Sequence, residues 1–399
     1  MTPAARIAAA IEIIDIWRAG EEGLDRVLTA WGRAHRFAGS GDRHAIADHV
    51  YSAVRRLRSA GFVAGAGTHE ADGRALLRGS LMLDGADPAE FFTGQRYAPP
   101  PLGEDEATPP RPLSDAPRAI RLDLPDWLEA ELAGIEEDAL AELRERAPLD
   151  LRVNLLKADR DEAIAALAED GIVVDPLPLS PTALRVRERP RLVARSRAYR
   201  EGLVEIQDAA SQAAADLARA RPGETVLDLC AGGGGKALAL AAAMGGKGRL
   251  IAHDASPARI APLGERAARA GAEVAIVESA RLGGLAGVPD LVFVDAPCSG
   301  SGAWRRNPDA KWRLTEAALE ELLAVQDRLL QQAASLAGED GRILYATCSL
   351  LRRENGERVD AFLAKTQGWR VAETITILPP AGDGFFAALL TRTGAVPAN

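Results

Sequence analysis

Apolar residues recur at helical spacing through residues 4–93, and the pattern changes twice after that. Ala4 to Arg18 is rich in Ala and Ile, Gly23 to Trp31 continues the pattern, and Asp42 to Ser59 carries Ile46, Val50 and Val54 at helical spacing. A small helical bundle is expected over 1–95. Residues 96–118 lose the periodicity. Three prolines follow Ala98, then acids, then Pro109, Pro110, Pro112 and Pro117, which reads as a semi-rigid or partly disordered linker. Over 119–205 the pattern is mixed: a helix from Trp127 to Arg146, a strand from Leu151, a helix from Asp161 to Ala168, and short strands near Val173 and Leu184. This predicts a small α+β unit.

From 206 to 399 strands and helices alternate. Strands are expected at 225–229, 249–254, 274–277, 291–295 and 342–347, with helices at 209–220, 236–244, 257–270, 315–337 and 353–365. Such alternation makes a mostly parallel sheet covered on both faces. Two last apolar strands, 371–378 and 385–391, have no helix between them and predict an antiparallel edge. The fold class is α/β and Rossmann-like.

Composition narrows the chemistry. Three cysteines in 399 residues make a disulfide framework improbable and fit a reducing cytosol. No apolar run reaches a membrane span, no secretory signal is evident, and no His/Cys spacing suits a metal. A monomer is the default expectation. The net charge of −9 argues against indiscriminate nucleic-acid binding, yet seven arginines stand between Arg185 and Arg200 and offer a phosphate-binding face.

All three cysteines end expected strands, where an open α/β sheet binds its ligands. Cys230 lies in Asp228-Leu-Cys-Ala231-Gly232-Gly-Gly234-Gly235-Lys236-Ala237, a strand running through glycines into a helix. Glycines let a ligand approach the backbone, and the helix start offers free amides. Asp254 ends the next strand, where an acid holds ribose hydroxyls. An adenosine-containing cofactor is implied, without deciding which; Gly232, Gly234 and Ala237 also satisfy a loose dinucleotide pattern, and a phosphate-loop hydrolase fits worse. Cys298 lies in Asp295-Ala-Pro-Cys-Ser-Gly-Ser-Gly302, followed by Arg305, Arg306, Lys311 and Arg313 interleaved with Trp304 and Trp312. Cations beside aromatics suit phosphates and stacked bases, so these four are candidate RNA contacts. Cys348 lies in Ala346-Thr-Cys-Ser.

Two thiols, an acid and an adenosine cofactor together point to methylation at carbon 5 of cytosine. That carbon is not nucleophilic in the aromatic ring. A thiolate added to carbon 6 makes it enamine-like, a carboxyl group beside N3 stabilises the adduct, and a base then removes the carbon-5 proton.

These residues resemble the Sun/Nop family of RNA cytosine-C5 methyltransferases, which use S-adenosylmethionine. The resemblance spans about 120–395. It rests on the Cys230 and Cys298 motifs, Arg306-Asn-Pro-Asp-Ala-Lys-Trp, Tyr345-Ala-Thr-Cys-Ser with Glu354-Asn, and Asp383-Gly-Phe-Phe. A fainter likeness of 1–95, carried by Asp42-Arg-His and Tyr51 to Arg58, is to the NusB-like helical domain of the bacterial members that modify small-subunit ribosomal RNA. The resemblance implies that Cys348 is the nucleophile, that Cys298 assists product release, and that Asp295 bonds the cytosine. It places the cofactor against residues 230–236, Asp254, Arg259, Ser279 and Asp295. It implies RNA-binding roles for the helical domain and the 119–205 unit.

The chain departs from the family pattern at three places. Gly232-Gly233 replaces Ala-Pro, which predicts a looser loop. Ala237 replaces Thr. Ser279, beside Glu278, replaces the acid expected near the adenine. The altered loop leaves a second reading, a non-catalytic RNA-binding assembly factor; a transfer RNA substrate and a nicotinamide oxidoreductase are further alternatives.

Overall fold

Thr2 starts the first helix: its side chain accepts the Ala5 amide, and Pro3 fills a position whose amide needs no partner. That helix is α1 (Pro3–Ala19). It is followed by α2 (Leu24–Ala34), α3 (Ser40–Arg55), α4 (Leu57–Val63) and α5 (Gly73–Leu83). The helix expected from Asp42 to Ser59 breaks at Arg56, whose φ of −110° and ψ of 32° leave the helical range. Ile7, Ile13, Trp17, Ile46, Val50 and Leu76 fill the core of this bundle. The computed structural model describes residues 1–67, 71–107 and 109–394. Position 108 of the Pro-rich stretch and positions 395–399 of the expected methyltransferase domain lie outside the described residues.

The chain divides into two compact units, one of Met1–Arg146 with Trp304–Arg313, the other of Ala147–Ala303 with the residues from Leu314 on. In the first, the Pro-rich stretch is tied down. Glu106 pairs with Arg74 at 2.7 Å and Arg78 at 3.0 Å, and the Arg111 amide donates to the Val63 carbonyl. Trp127–Arg146 is not one helix. It forms Asp126–Glu131, Glu137–Ala141 and a short turn at Glu142–Arg144, interrupted around Gly134, whose lack of a side chain weakens a helix interior. The expected unit 119–205 is thus shared: its helical turns lie in the first compact unit and its strands in the second.

The second unit holds two sheets. Strands β1 (Asp150–Val153), β2 (Val174–Pro176), β3 (Ala183–Val186) and β4 (Val204–Ile206) form an antiparallel sheet in the order β2-β3-β1-β4. The larger sheet comprises β5 (Thr225–Asp228), β6 (Arg249–Ala252), β7 (Ala275–Ile276), β8 (Leu291–Asp295), β9 (Arg342–Thr347), β10 (Trp369–Ile377) and β11 (Phe385–Arg392). Its order is β10-β11-β9-β8-β5-β6-β7. The strands from β5 to β9 pair in parallel, and β11 inserts antiparallel between β9 and β10. This is the Rossmann-like sheet with the expected antiparallel edge.

Alternate residues of the central strands face opposite layers. Val226, Leu291, Phe293 and Leu344 pack on one side, and Leu227, Val292, Val294 and Ile343 on the other. The carboxyl ends of four neighbouring strands, β9, β8, β5 and β6, therefore come together, carrying Cys348, Asp295 with Cys298, Cys230 with the glycines, and Asp254. Among the described residues no helix is long and apolar enough to cross a membrane.

Candidate active site

The two cysteines that follow β8 and β9 meet. Cys298 Sγ lies 3.5 Å from Cys348 Sγ, and both are partly exposed. The hydrogen bond from the Cys298 thiol, helped by the Lys236 ammonium, holds the Cys348 pKa below its ordinary value, against burial, Asp295 and Glu354. The same bond, with burial, holds the Cys298 thiol well above it. Of the two sulfurs, Cys348 is thus the one favoured to lose its proton. Cys230, the third thiol, has its pKa raised by burial and by Asp228, which disfavours its thiolate.

A buried carboxylate joins the two cysteine loops. Glu354, fully buried, accepts the Ser299 amide at 2.8 Å, the Ser299 hydroxyl at 2.5 Å, the Ser349 hydroxyl at 2.5 Å and the Gln326 amide at 3.0 Å. Ser301 and Ser349 hydroxyls pair at 3.0 Å, and Asn355 bonds Thr347 and the Ser349 carbonyl. Gly302 stacks on Gly384 of the Asp383-Gly-Phe-Phe turn so tightly that a Cβ on Gly302 would sit 1.9 Å from the Gly384 carbonyl. Sequence reasoning missed the serines. Their signal was a serine beside each thiol, in Cys298-Ser299 and Cys348-Ser349.

Lys236 and Asp295 form the polar wall beside the thiols. Lys236 Nζ lies 2.7 Å from Asp295 Oδ2 and 5.1 Å above the Phe385 ring. Burial works against the ammonium, but Asp295 outweighs it and raises the Lys236 pKa. Asp228 ends β5 fully buried, and neither of its carboxylate oxygens has a hydrogen-bond partner of good geometry among the described residues. Burial and nearby Asp295 push its pKa up to about 7.

The glycine run after β5 turns into the helix Gly235–Ala243, with Gly234 at its start. Gly232 has φ +51°, and its amide donates to Asp254 at 2.9 Å; a Cβ there would reach Arg259 Nη2 at 3.3 Å. Arg259 faces Asp254 at 3.9 Å, and the Ala231 amide donates to the His253 carbonyl. A half-buried glycine turn, an acid at the end of β6 with a covered side chain, and the amides at the helix start fit S-adenosylmethionine, whose ribose and charged amino acid need such groups. Ser279 is exposed, and its hydroxyl pairs with His253 Nε2 at 2.9 Å while Nδ1 meets the Leu229 carbonyl at 2.8 Å. His253, 6% exposed, is a second residue that sequence reasoning passed over. Glu278 lies exposed at the head of the turn Ser279–Leu285.

The cations after the Cys298 loop correct an expectation. Arg305 and Lys311 are 1% exposed each, inside the helical unit. The Arg305 carbonyl accepts Arg55 Nε at 2.7 Å, Lys311 Nζ donates to the Arg55 carbonyl at 3.2 Å, and Trp312 Nε1 to the Val54 carbonyl at 2.7 Å. Arg313 pairs with Asp309 at 2.7 Å and bonds the Glu21 and Glu22 carbonyls. Of the four, Arg306 and Arg313 are exposed. Trp304, 1% exposed, and Trp312 contribute the apolar area that favours this burial, and the carbonyl bonded to the Lys311 ammonium offsets part of its cost. In the arginine stretch, Arg185 pairs with buried Asp150, Arg187 with Asp175, and Arg197 with Glu169 and Glu201.

Comparison with known proteins fits this geometry. Residues 215–391 match the sequence pattern of 16S rRNA methyltransferase RsmB/F, and residues 124–192 match the ferredoxin-like domain that accompanies it. The ribosomal RNA small subunit methyltransferase B of Sodalis glossinidius is 34% identical over 307 residues, which cover 71% of this chain and 69% of that protein. The chain belongs to the RsmB/F methyltransferase family. A probable member from Synechocystis is 32% identical over 67% of this chain and 66% of its own length. The matched stretch thus spans about two thirds of these relatives. The crystal structure of PH0851 superposes with a TM-score of 0.77 at 27% identity, covering 98% of this chain and 99% of that one. A methyltransferase homologue from Pyrococcus horikoshii shares the fold with a TM-score of 0.61 at 23% identity, over 69% of this chain and 98% of its own. RsmB/F proteins are S-adenosylmethionine-dependent, so the cofactor implied by the glycine loop is that one.

Proposed function

We propose that this chain methylates carbon 5 of a cytosine in small-subunit ribosomal RNA through a covalent adduct with Cys348. The observation that carries the reading is the 3.5 Å pairing of two thiols at neighbouring strand ends, of which Cys348 is the one with the lowered pKa. The substrate class is carried by the relatives named ribosomal RNA small subunit methyltransferase B.

The Cys348 thiolate adds to carbon 6 of the base. The electron pair displaced from the ring moves toward N3, where a proton from the Lys236–Asp295 pair neutralises it. Carbon 5 is then nucleophilic. S-adenosylmethionine, when bound, supplies an electrophilic methyl group. Once Cys348 is a thioether, the charge that kept Cys298 protonated is gone. Cys298 can release its proton and take the one left on carbon 5, and the Cys348 thiolate departs as the ring double bond re-forms. N3 returns its proton to the Lys236–Asp295 pair as the ring re-forms, so the exchange balances: one methyl cation enters and the carbon-5 proton leaves. Glu354 and its four donors keep both sulfurs in reach throughout.

Bisulfite mapping of ribosomal RNA from cells with and without this chain tests the proposal. One protected cytosine in small-subunit RNA should disappear with the chain. A change confined to transfer RNA overturns the substrate, and no change in any RNA overturns the activity.

A further inference from the structure

We infer that Arg266 is a positioning residue for the cofactor loop, bracing the Gly232–Gly235 turn that the sequence leaves without a stiff residue. Arg266 Nη1 donates to the Gly233 carbonyl at 2.5 Å. Its other nitrogen, Nη2, lies 2.9 Å from Glu205 Oε2 on β4. One planar guanidinium thus ties the apex of the turn to a strand of the neighbouring sheet, and it reaches across Gly233 and Gly235 alike, since a Cβ on either would meet it at 3.1 and 3.9 Å.

The anchor is rigid. Glu205 is 1% exposed and is shared with Arg269, which stacks over the Tyr199 ring at 4.3 Å. Buried Arg152 lies close enough for Glu205 to favour its charge. Three arginines thus surround this one carboxylate. Arg266 itself keeps a quarter of its side chain exposed, so its bond to the loop is made at the edge of the cofactor site.

The brace answers a conformational problem. Two adjacent glycines at 232 and 233 have more freedom to lose on ligand binding than any other pair. A bond that fixes the Gly233 carbonyl removes part of that freedom beforehand, so less is lost when the cofactor arrives.

The test measures S-adenosylmethionine affinity by calorimetry together with amide hydrogen exchange of residues 231–235 in the ligand-free protein. Arg266→Ala should weaken affinity roughly tenfold, the worth of one charged hydrogen bond, and speed exchange in the loop. Arg266→Lys, which can satisfy one end only, should fall between. Arg269→Ala removes a partner of Glu205 without touching the loop and should leave both readouts within twofold of the parent. Equal loss in Arg269→Ala, or unchanged loop exchange in Arg266→Ala, overturns the brace. A parent chain that binds no S-adenosylmethionine overturns the cofactor reading instead, and the exchange data then still decide whether the bond stiffens the turn.

Discussion

Two loops beside the same sheet edge are each fastened by one buried glutamate, and they use it differently. Glu354 joins the cysteine loops through uncharged donors: two serine hydroxyls, a backbone amide and a glutamine. Glu205 holds the glycine loop through Arg266 and is itself paired with a second arginine, Arg269. A buried carboxylate must be satisfied either way. Neutral donors fix it without placing a cation among the thiols, where Lys236 alone favours a thiolate and is itself claimed by Asp295. Arginines span a longer gap and brace backbone from a distance. The chemistry loop is built for short, directional contacts, and the cofactor loop for reach.

The comparison breaks most visibly at the reacting sulfur. Cys348→Ala should cost on the order of a thousandfold or more in methyl transfer, read with labelled cofactor, because no other group in the site can form the adduct. Glu354→Ala should lower stability by about 3 kcal/mol in urea unfolding, since the amide and hydroxyl donors it leaves are buried without a partner. Glu354→Gln should lose less, because an amide oxygen still accepts. A loss below 0.5 kcal/mol, on the order of a neutral surface change, would mean that the network does not join the loops.

Lys311 sharpens the contrast, as a buried charge whose ammonium donates to a backbone carbonyl, that of Arg55. Burial lowers its pKa from 10.5 to about 8. In the folded chain it gives up its proton at lower pH than in the unfolded chain, so the charged form disfavours folding. That cost is complete below about pH 8 and gone above the unfolded value of 10.5. Stability contributed by this residue therefore rises across that window. Lys311→Met should flatten the rise in thermal unfolding against pH and should be neutral or stabilising at pH 7. A smaller effect is expected at Cys298. Its thiol is the main cause of the lowered Cys348 pKa, so Cys298→Ala should move the pH dependence of Cys348 alkylation upward. An unchanged profile would assign the lowered value to Lys236.

The larger sheet was legible because its strands are continuous apolar runs ending in Asp228, Asp295 and Thr347, each followed by glycine, proline or cysteine. The grouping of Cys298, Cys348 and Asp295 followed from their places at strand ends, since strands β8 and β9 pair directly, whereas the Lys236–Asp295 bond came only with the structure. The arginine and lysine of the 304–313 segment were misjudged as exposed. Composition cannot tell a cation whose donors face solvent from one whose donors face helix carbonyls, and here the Lys311 ammonium donates to the Arg55 carbonyl while the Arg305 backbone carbonyl accepts from Arg55. The brace at Gly233 was hidden for a different reason: Glu205 and Arg266 are 61 residues apart, and only the fold brings them together. The helix expected at 257–270 divides at Pro262, a break the sequence carried openly.

The sulfur that bonds to RNA can be observed directly. The parent chain and its Cys298→Ala and Cys348→Ala variants are incubated with labelled small-subunit RNA and S-adenosylmethionine, then separated on a denaturing gel. The account predicts a trapped protein–RNA band in Cys298→Ala, where release stalls, and none in Cys348→Ala. A band in Cys348→Ala and none in Cys298→Ala would contradict it by exchanging the roles of the two thiols.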